Sequence, residues 1–121
     1  MEDAALEEAM ELACLRRTQL LCHCNGDGAA EQFLRCLAQV EQKHPEMAQL
    51  RPVIIHGQLL APDQLPRVKE LGAVVSFFVA HVYHWGDVHL RNFGPERASR
   101  ISRPAAPWNW GSPSPFTRTP R

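Results

Sequence analysis

The chain has 121 residues, enough for one modest domain with a core of its own. Its 13 basic and 13 acidic residues cancel to a formal net charge of zero, which argues against a nucleic-acid groove and against a charged interaction tail. No apolar run approaches the ~20 residues of a membrane span. The N-terminal stretch MEDAALEEAMELA is acidic and helical in pattern, unlike a signal peptide. Four cysteines (Cys14, Cys22, Cys24 and Cys36) lack the spacing of a secreted disulfide scaffold. They point to reduced thiols in a cytoplasmic protein.

Residues 4–16 repeat apolar side chains at Leu6, Ala9, Met10, Ala13 and Cys14, with Glu7, Glu8 and Glu11 on the wet side, and this spacing predicts a helix. The short apolar run 18–23 predicts a buried strand. Asp27 is placed to cap a helix over 28–43, whose Ala30, Phe33, Leu34, Leu37 and Val40 form one stripe, and Pro45 stops it. Residues 51–58, RPVIIHGQ, predict a β-branched strand. Pro62 suits the first turn of a helix running to Leu71. Gly72 ends that helix, and 73–81 predict a third strand. A long loop follows. Gly94-Pro95 then opens a short helix through about Ile101. Strands and helices alternating at this length imply parallel βαβ units. The continuous apolar strands suit a sheet covered on both faces or a barrel wall.

The stretch LLCHCNGDGAAEQFL, 20–34, carries the first chemical signal. Alternation along a strand puts Cys22 and Cys24 on one face and His23 on the other. Regular geometry therefore keeps the three from sharing one metal, and no other Cys/His pair has zinc-finger spacing. A C-x-C is also not the redox C-x-x-C. Cys22 and Cys24 read as small packing residues. His23 ends its strand, and His56 ends the next one a βα unit later. Carboxyl ends of barrel strands are where working side chains sit. Two imidazoles there can converge on one metal, or they can be two independently hydrogen-bonded histidines.

HCNGDGAAEQFL followed by VIIHGQL resembles the metal-dependent amidohydrolases, in particular the amidohydrolase family 3 branch. GAVVSFFVAHVYHWGD and GPERASRIS are similar to that branch's seventh strand, long loop and following helix. The resemblance runs from about residue 5 to residue 102. It implies an α/β fold that is part of a (β/α)8 TIM-type barrel, covering about strands five to seven of eight. It implies metal roles for His23 and His56, with zinc as the expected ion. His81, Tyr83, His84 and Trp85, after strand seven, would line a substrate pocket or form a packed aromatic corner. Asp27 matches the branch's G-D pair and reads as a cap and loop brace, whereas Asp87 and His89 are exposed-loop candidates without a clear role. The remaining ligands of the family, an H-x-H pair, a strand-four carboxylate or modified Lys, and a strand-eight Asp, are not found here.

After Ser102 the pattern stops. Residues 103–121 are rich in Pro, Ser and Arg and read as an irregular tail. A frameshift is the sharper reading. Starting from the last base of the Pro107 codon, the alternative frame permits Leu-Glu-Leu-Gly-Val-Pro-Phe-Thr-Leu-His-Thr-Asp-Thr-Pro, which resembles the family's eighth strand. The domain expectation is thus 1–102 for the partial barrel and 103–121 for the tail. Two functions follow. One is a section of an enzyme that hydrolyses carbon–nitrogen bonds other than peptide bonds in small amide-like substrates, inactive alone. The other is a non-catalytic remnant, or an interaction or regulatory protein that associates with another chain. Three strands leave open sheet edges that invite self-association. Neither nucleic acid nor membrane is expected as a partner.

Overall fold

A computed structural model of the chain describes residues 1–102. The expected tail and its frameshift reading, 103–121, lie outside the described residues. The first stripe forms helix α1, Asp3–Arg16, which buries Leu6, Met10, Ala13 and Cys14. These positions fall at i, i+4, i+7 and i+8, one face of an α-helix. The second stripe forms α2, Asp27–Lys43, burying Ala30, Phe33, Leu34, Cys36, Leu37 and Val40. A 3₁₀ helix over Pro45–Leu50 follows, with proline at its start where the missing N–H costs nothing.

The three strands are β1, Leu21–Cys24, β2, Val53–His56, and β3, Val74–Phe77. They lie in the order β1-β2-β3, and both pairings are parallel. The expected parallel α/β arrangement is therefore present, as an open sheet with helices. In register, Cys22, Ile54 and Val75 form one row across the sheet, and Cys24, His56 and Phe77 another. Ile54, Val75, Cys24 and Phe77 join α1 and α2 in the buried core, and Phe33, Leu34 and Leu37 are fully enclosed. Each such side chain contributes about 1.5–3 kcal/mol relative to exposure. The other face carries the rows Leu21–Val53–Val74 and His23–Ile55–Ser76. Among the described residues Leu21, at its edge, is 59% exposed, whereas Val53, Ile55, Val74 and Ser76 are half-buried.

Several element bounds differ from the sequence expectation. The strands span four residues each, because a ladder lasts only where a neighbour runs alongside. Helix α3, Gln64–Glu70, starts two residues after Pro62, which lies in the preceding turn. Gly72 turns the chain at φ +61°, where an added Cβ would lie 2.9 Å from the Ala48 carbonyl oxygen. The expected loop after the third strand is helical instead. Helix α4, Ala80–Ala98, takes in His81 and the residues beyond it and breaks at Gly94 (φ 76°, ψ 166°), just before Pro95. No residue of α4 is buried. It therefore carries no apolar stripe for periodicity to detect.

Candidate functional site

The carboxyl ends of β1 and β2 bring His23 and His56 together, with ring centroids 4.6 Å apart in an edge-to-face arrangement. Register alone would not do this. His23 pairs with Ile55, and His56 pairs with Cys24, whose side chain is in the core. A regular pleat would send His56 to the Cys24 side. His56 instead adopts φ +74°, a left-handed conformation uncommon outside glycine. That turn aims its ring at His23. Gly57 continues the turn at φ +51° and donates its N–H to the Cys24 carbonyl at 3.1 Å. A Cβ there would meet Val75 Cγ1 at 2.5 Å and Leu60 Cδ1 at 2.9 Å, so the close approach requires glycine.

The first turn of α4 adds a third imidazole. His81 lies 5.3 Å from His56, and Phe78 packs against both rings at 5.6 and 4.7 Å. Burial lowers the His81 pKa below its ordinary value, and the neighbouring His56, His89 and His23 add to the effect. His89 lies one step further, 6.1 Å from His81, and stacks on Phe93 at 5.5 Å. The expectation that His89 sits in an exposed loop is thus corrected: it is a half-buried helical residue. Its Nε2 is 2.9 Å from the amide nitrogen of the buried Gln58. Buried Nδ1 atoms of His56, His81 and His89 have no hydrogen-bond partner.

Tyr83, His84 and Trp85 do not join this cluster. Tyr83 and His84 touch each other edge-to-face at 5.0 Å. Tyr83 is 87% and Trp85 55% exposed. Asp27 is not the cap of α2. The N-cap is Gly26, without a side-chain bond, and Asp27 is the first helical residue. Its brace role is real: one carboxylate oxygen accepts from Gly28 N at 3.0 Å and the other from Arg97 at 2.7 Å, tying β1's following turn to the end of α4. A cleft of about 80 Å³ lies beside this pair, lined by Asp27, Leu59, Leu60, Ala61, Arg97 and Arg100, and the histidines are not in it.

Among the described residues no three His, Cys, Asp or Glu side chains are grouped to hold a metal ion. The histidines therefore offer a pair of imidazoles, with His81 behind it. Residues 1–116 match the family model described as Amidohydrolase family. The chain belongs to the amidohydrolase family. Within it the branch is family 3, the one its strand-end motifs resemble. No curated protein and no solved structure matches the chain. Among the described residues no helix is long and apolar enough to cross a membrane. The sequence pattern singles out His23, His56 and His81, which the fold brings near one another, but gives no role to Gln58 and Phe78. The buried polar Gln58, two residues after a strand-end histidine, was the available signal for its contact with His89.

Proposed function

We propose that this chain is the strand-five-to-seven section of a metal-dependent amidohydrolase barrel, and that His23 and His56 are two of the protein ligands of its divalent metal, zinc by preference. The contact between the two rings at neighbouring parallel strand ends carries the reading. The strained backbone of His56 supports it, since such strain persists where the surroundings impose it and clusters at functional sites. The donor set fits part of a catalytic site: His56 has an unpartnered buried Nδ1, and two imidazoles match two of the three protein ligands usual for catalytic zinc. When bound, the metal supplies Lewis-acid polarisation of an amide carbonyl and an acidified water. His23 and His56 hold it. Phe78 and His81 pack against His56 on the α4 side. Tyr83, His84 and Trp85 face outward and would line the substrate pocket once a neighbouring part of the barrel covers them. The substrate class is a small molecule with a carbon–nitrogen bond other than a peptide bond. The free cysteines support a reducing compartment, the cytoplasm.

With only two ligands brought together among the described residues, turnover is expected to be negligible; general acid–base help, which the family draws from a strand-eight Asp, is worth ~10²–10⁴ in rate. The test is zinc titration of the 121-residue protein, followed by histidine ring NMR and by amide hydrolysis. The His23 and His56 signals should move together at one equivalent, the His23→Ala protein should lose the response at His56, and hydrolysis should stay at background. Independent responses at the two rings, or turnover abolished by His23→Ala, would overturn the reading. The open sheet, with Leu21 largely exposed at its edge among the described residues, favours a second reading, in which the chain works only when docked on another polypeptide or a second copy. Concentration-dependent sedimentation distinguishes it.

A further inference from the structure

Gln58 follows His56 by two positions, in the stretch HGQ, and holding a metal gives it no task. It is nonetheless buried, at 5% exposure. Buried polar side chains are kept where they have hydrogen bonds to make. Gln58 makes contacts from two parts of the residue. Its backbone carbonyl accepts from the Ser102 N–H at 3.0 Å, and its side-chain amide meets His89 Nε2 at 2.9 Å. Both partners lie on one arm of the chain, which leaves β3 at Phe78, runs through α4 and returns at Ser102. A single buried residue just past the carboxyl end of β2 thus holds that arm at two points.

The arm needs such a hold. No residue of α4 is buried, so apolar packing secures it weakly. The helix breaks at Gly94, and the Arg97–Asp27 ion pair lies beyond the break, where it does not set the direction of residues 80–93. That pair is also about half exposed, and exposed pairs contribute little. At the near end the Phe78 and His81 rings touch His56. A helix held at one end can still swing. A second contact about two turns further along, at His89, fixes its tilt. Among the described residues the Gln58–His89 hydrogen bond is the only one that joins residues 80–93 to any residue before Phe78.

We propose that Gln58 is a positioning residue: through His89 it holds α4 at the tilt that keeps the His81 ring beside His56. This rests on the reading of His56 as part of the site, and no bound ion enters the argument. The side chain suits the task. A primary amide carries both a donor and an acceptor, so it can hold a neutral imidazole in either tautomer. The His89 ring is steadied for the bond by its stacking on Phe93 at 5.5 Å. A hydrocarbon side chain of the same length would fill the same space and hold nothing. The glutamine of HGQ thereby acts on the site from behind the histidines, without touching substrate.

The test uses the full chain without metal. Two variants remove the bond and little else: Gln58→Met keeps the length of the side chain, and His89→Phe keeps a ring stacked on Phe93. The readouts are the nuclear Overhauser contact between the His56 and His81 rings and the hydrogen exchange of backbone amides 82–93. In each variant the ring contact should vanish and exchange of these amides should rise at least tenfold, while the amides of α2 keep their protection. The double variant should add nothing further, as expected for the two halves of one contact. A ring contact and exchange rates unchanged in Gln58→Met, an equal rise in α2, or additive effects in the double variant would each overturn the proposal. Zinc titration of the parent decides the metal pair separately. A missing zinc response leaves the role of Gln58 standing, and an unchanged ring contact in Gln58→Met refutes that role with the His23–His56 pair intact.

Discussion

His56 shows how one backbone dihedral decides the geometry of a site. Its φ of +74° costs an L-residue about 1–2 kcal/mol relative to an ordinary conformation. Glycine does not incur that cost. Within a regular strand, replacing alanine by glycine loses about 0.5–1 kcal/mol. At position 56 the order should reverse: His56→Gly should be more stable than His56→Ala by about 1 kcal/mol in urea denaturation. An alanine variant at least as stable as the glycine variant would show that the left-handed turn relaxes when the ring is removed. The neighbouring residue gives the complementary case. Gly57→Ala would place a methyl 2.5 Å from Val75 Cγ1 on a backbone already at φ +51°, and overpacking of this kind costs about 1–3 kcal/mol. A lowered denaturation midpoint with an unchanged urea slope is the expected result.

At the scale of elements, α2 and α3 are joined by polar contacts as well as by packing. Arg67 Nη1 donates to both Glu31 carboxylate oxygens at 2.8 and 2.7 Å, and Gln64 Nε2 donates to one of them at 3.2 Å. The Arg67 hydrogen bond, ahead of the others, holds the Glu31 carboxyl below its ordinary value of 4.5. A carboxylate depressed on folding contributes its stability above the unfolded value and loses it as pH falls through the folded one. The α2–α3 contact should therefore be intact at neutral pH and weaken below about pH 4.5. Glu31 is 41% exposed in its side chain, so solvent screens the pair and the effect is modest. Glu31→Gln should flatten that part of the acid limb in pH-dependent thermal melts; an unchanged limb would show that the pair contributes nothing in solution. The polar contacts of α3 were not legible from spacing, because they join residues more than 30 positions apart. The α2 stripe was legible because its partners recur every third or fourth residue. The helix α4 was missed for the opposite reason: with no buried face it carries no period.

On the scale of the whole molecule, the two faces of the sheet differ sharply. Ile54 is fully buried in the core, and Leu21 on the opposite face is largely exposed. Ile54→Ala should cost about 2–5 kcal/mol, whereas Leu21→Thr should change stability by no more than about 0.5 kcal/mol. Chemical denaturation of both variants measures the contrast. A large loss in Leu21→Thr, accompanied by a smaller sedimenting species, would mean that the open face is covered in solution by a second copy. Among the described residues the three parallel strands form an open sheet, which is consistent with part of a barrel.

Local chemistry was enough to read the alternation of strands and helices, the parallel pairing, the two core stripes and the strand-end positions of His23 and His56. Each depends on residues close in the chain: apolar period, β-branched runs, proline and glycine at the joints. The motifs HCNGDG and HGQ likewise gave the family. What required the folded chain was convergence. Strict alternation would have sent the His56 ring into the helix layer beside Cys24. Only the turn at His56, with Val75 and Leu60 closing on Gly57, directs it to His23. The same folding brings His89 of α4 to Gln58, 31 residues away. Sequence periodicity describes which face a residue occupies in a regular element, and these contacts arise where the elements end and regularity is broken by packing.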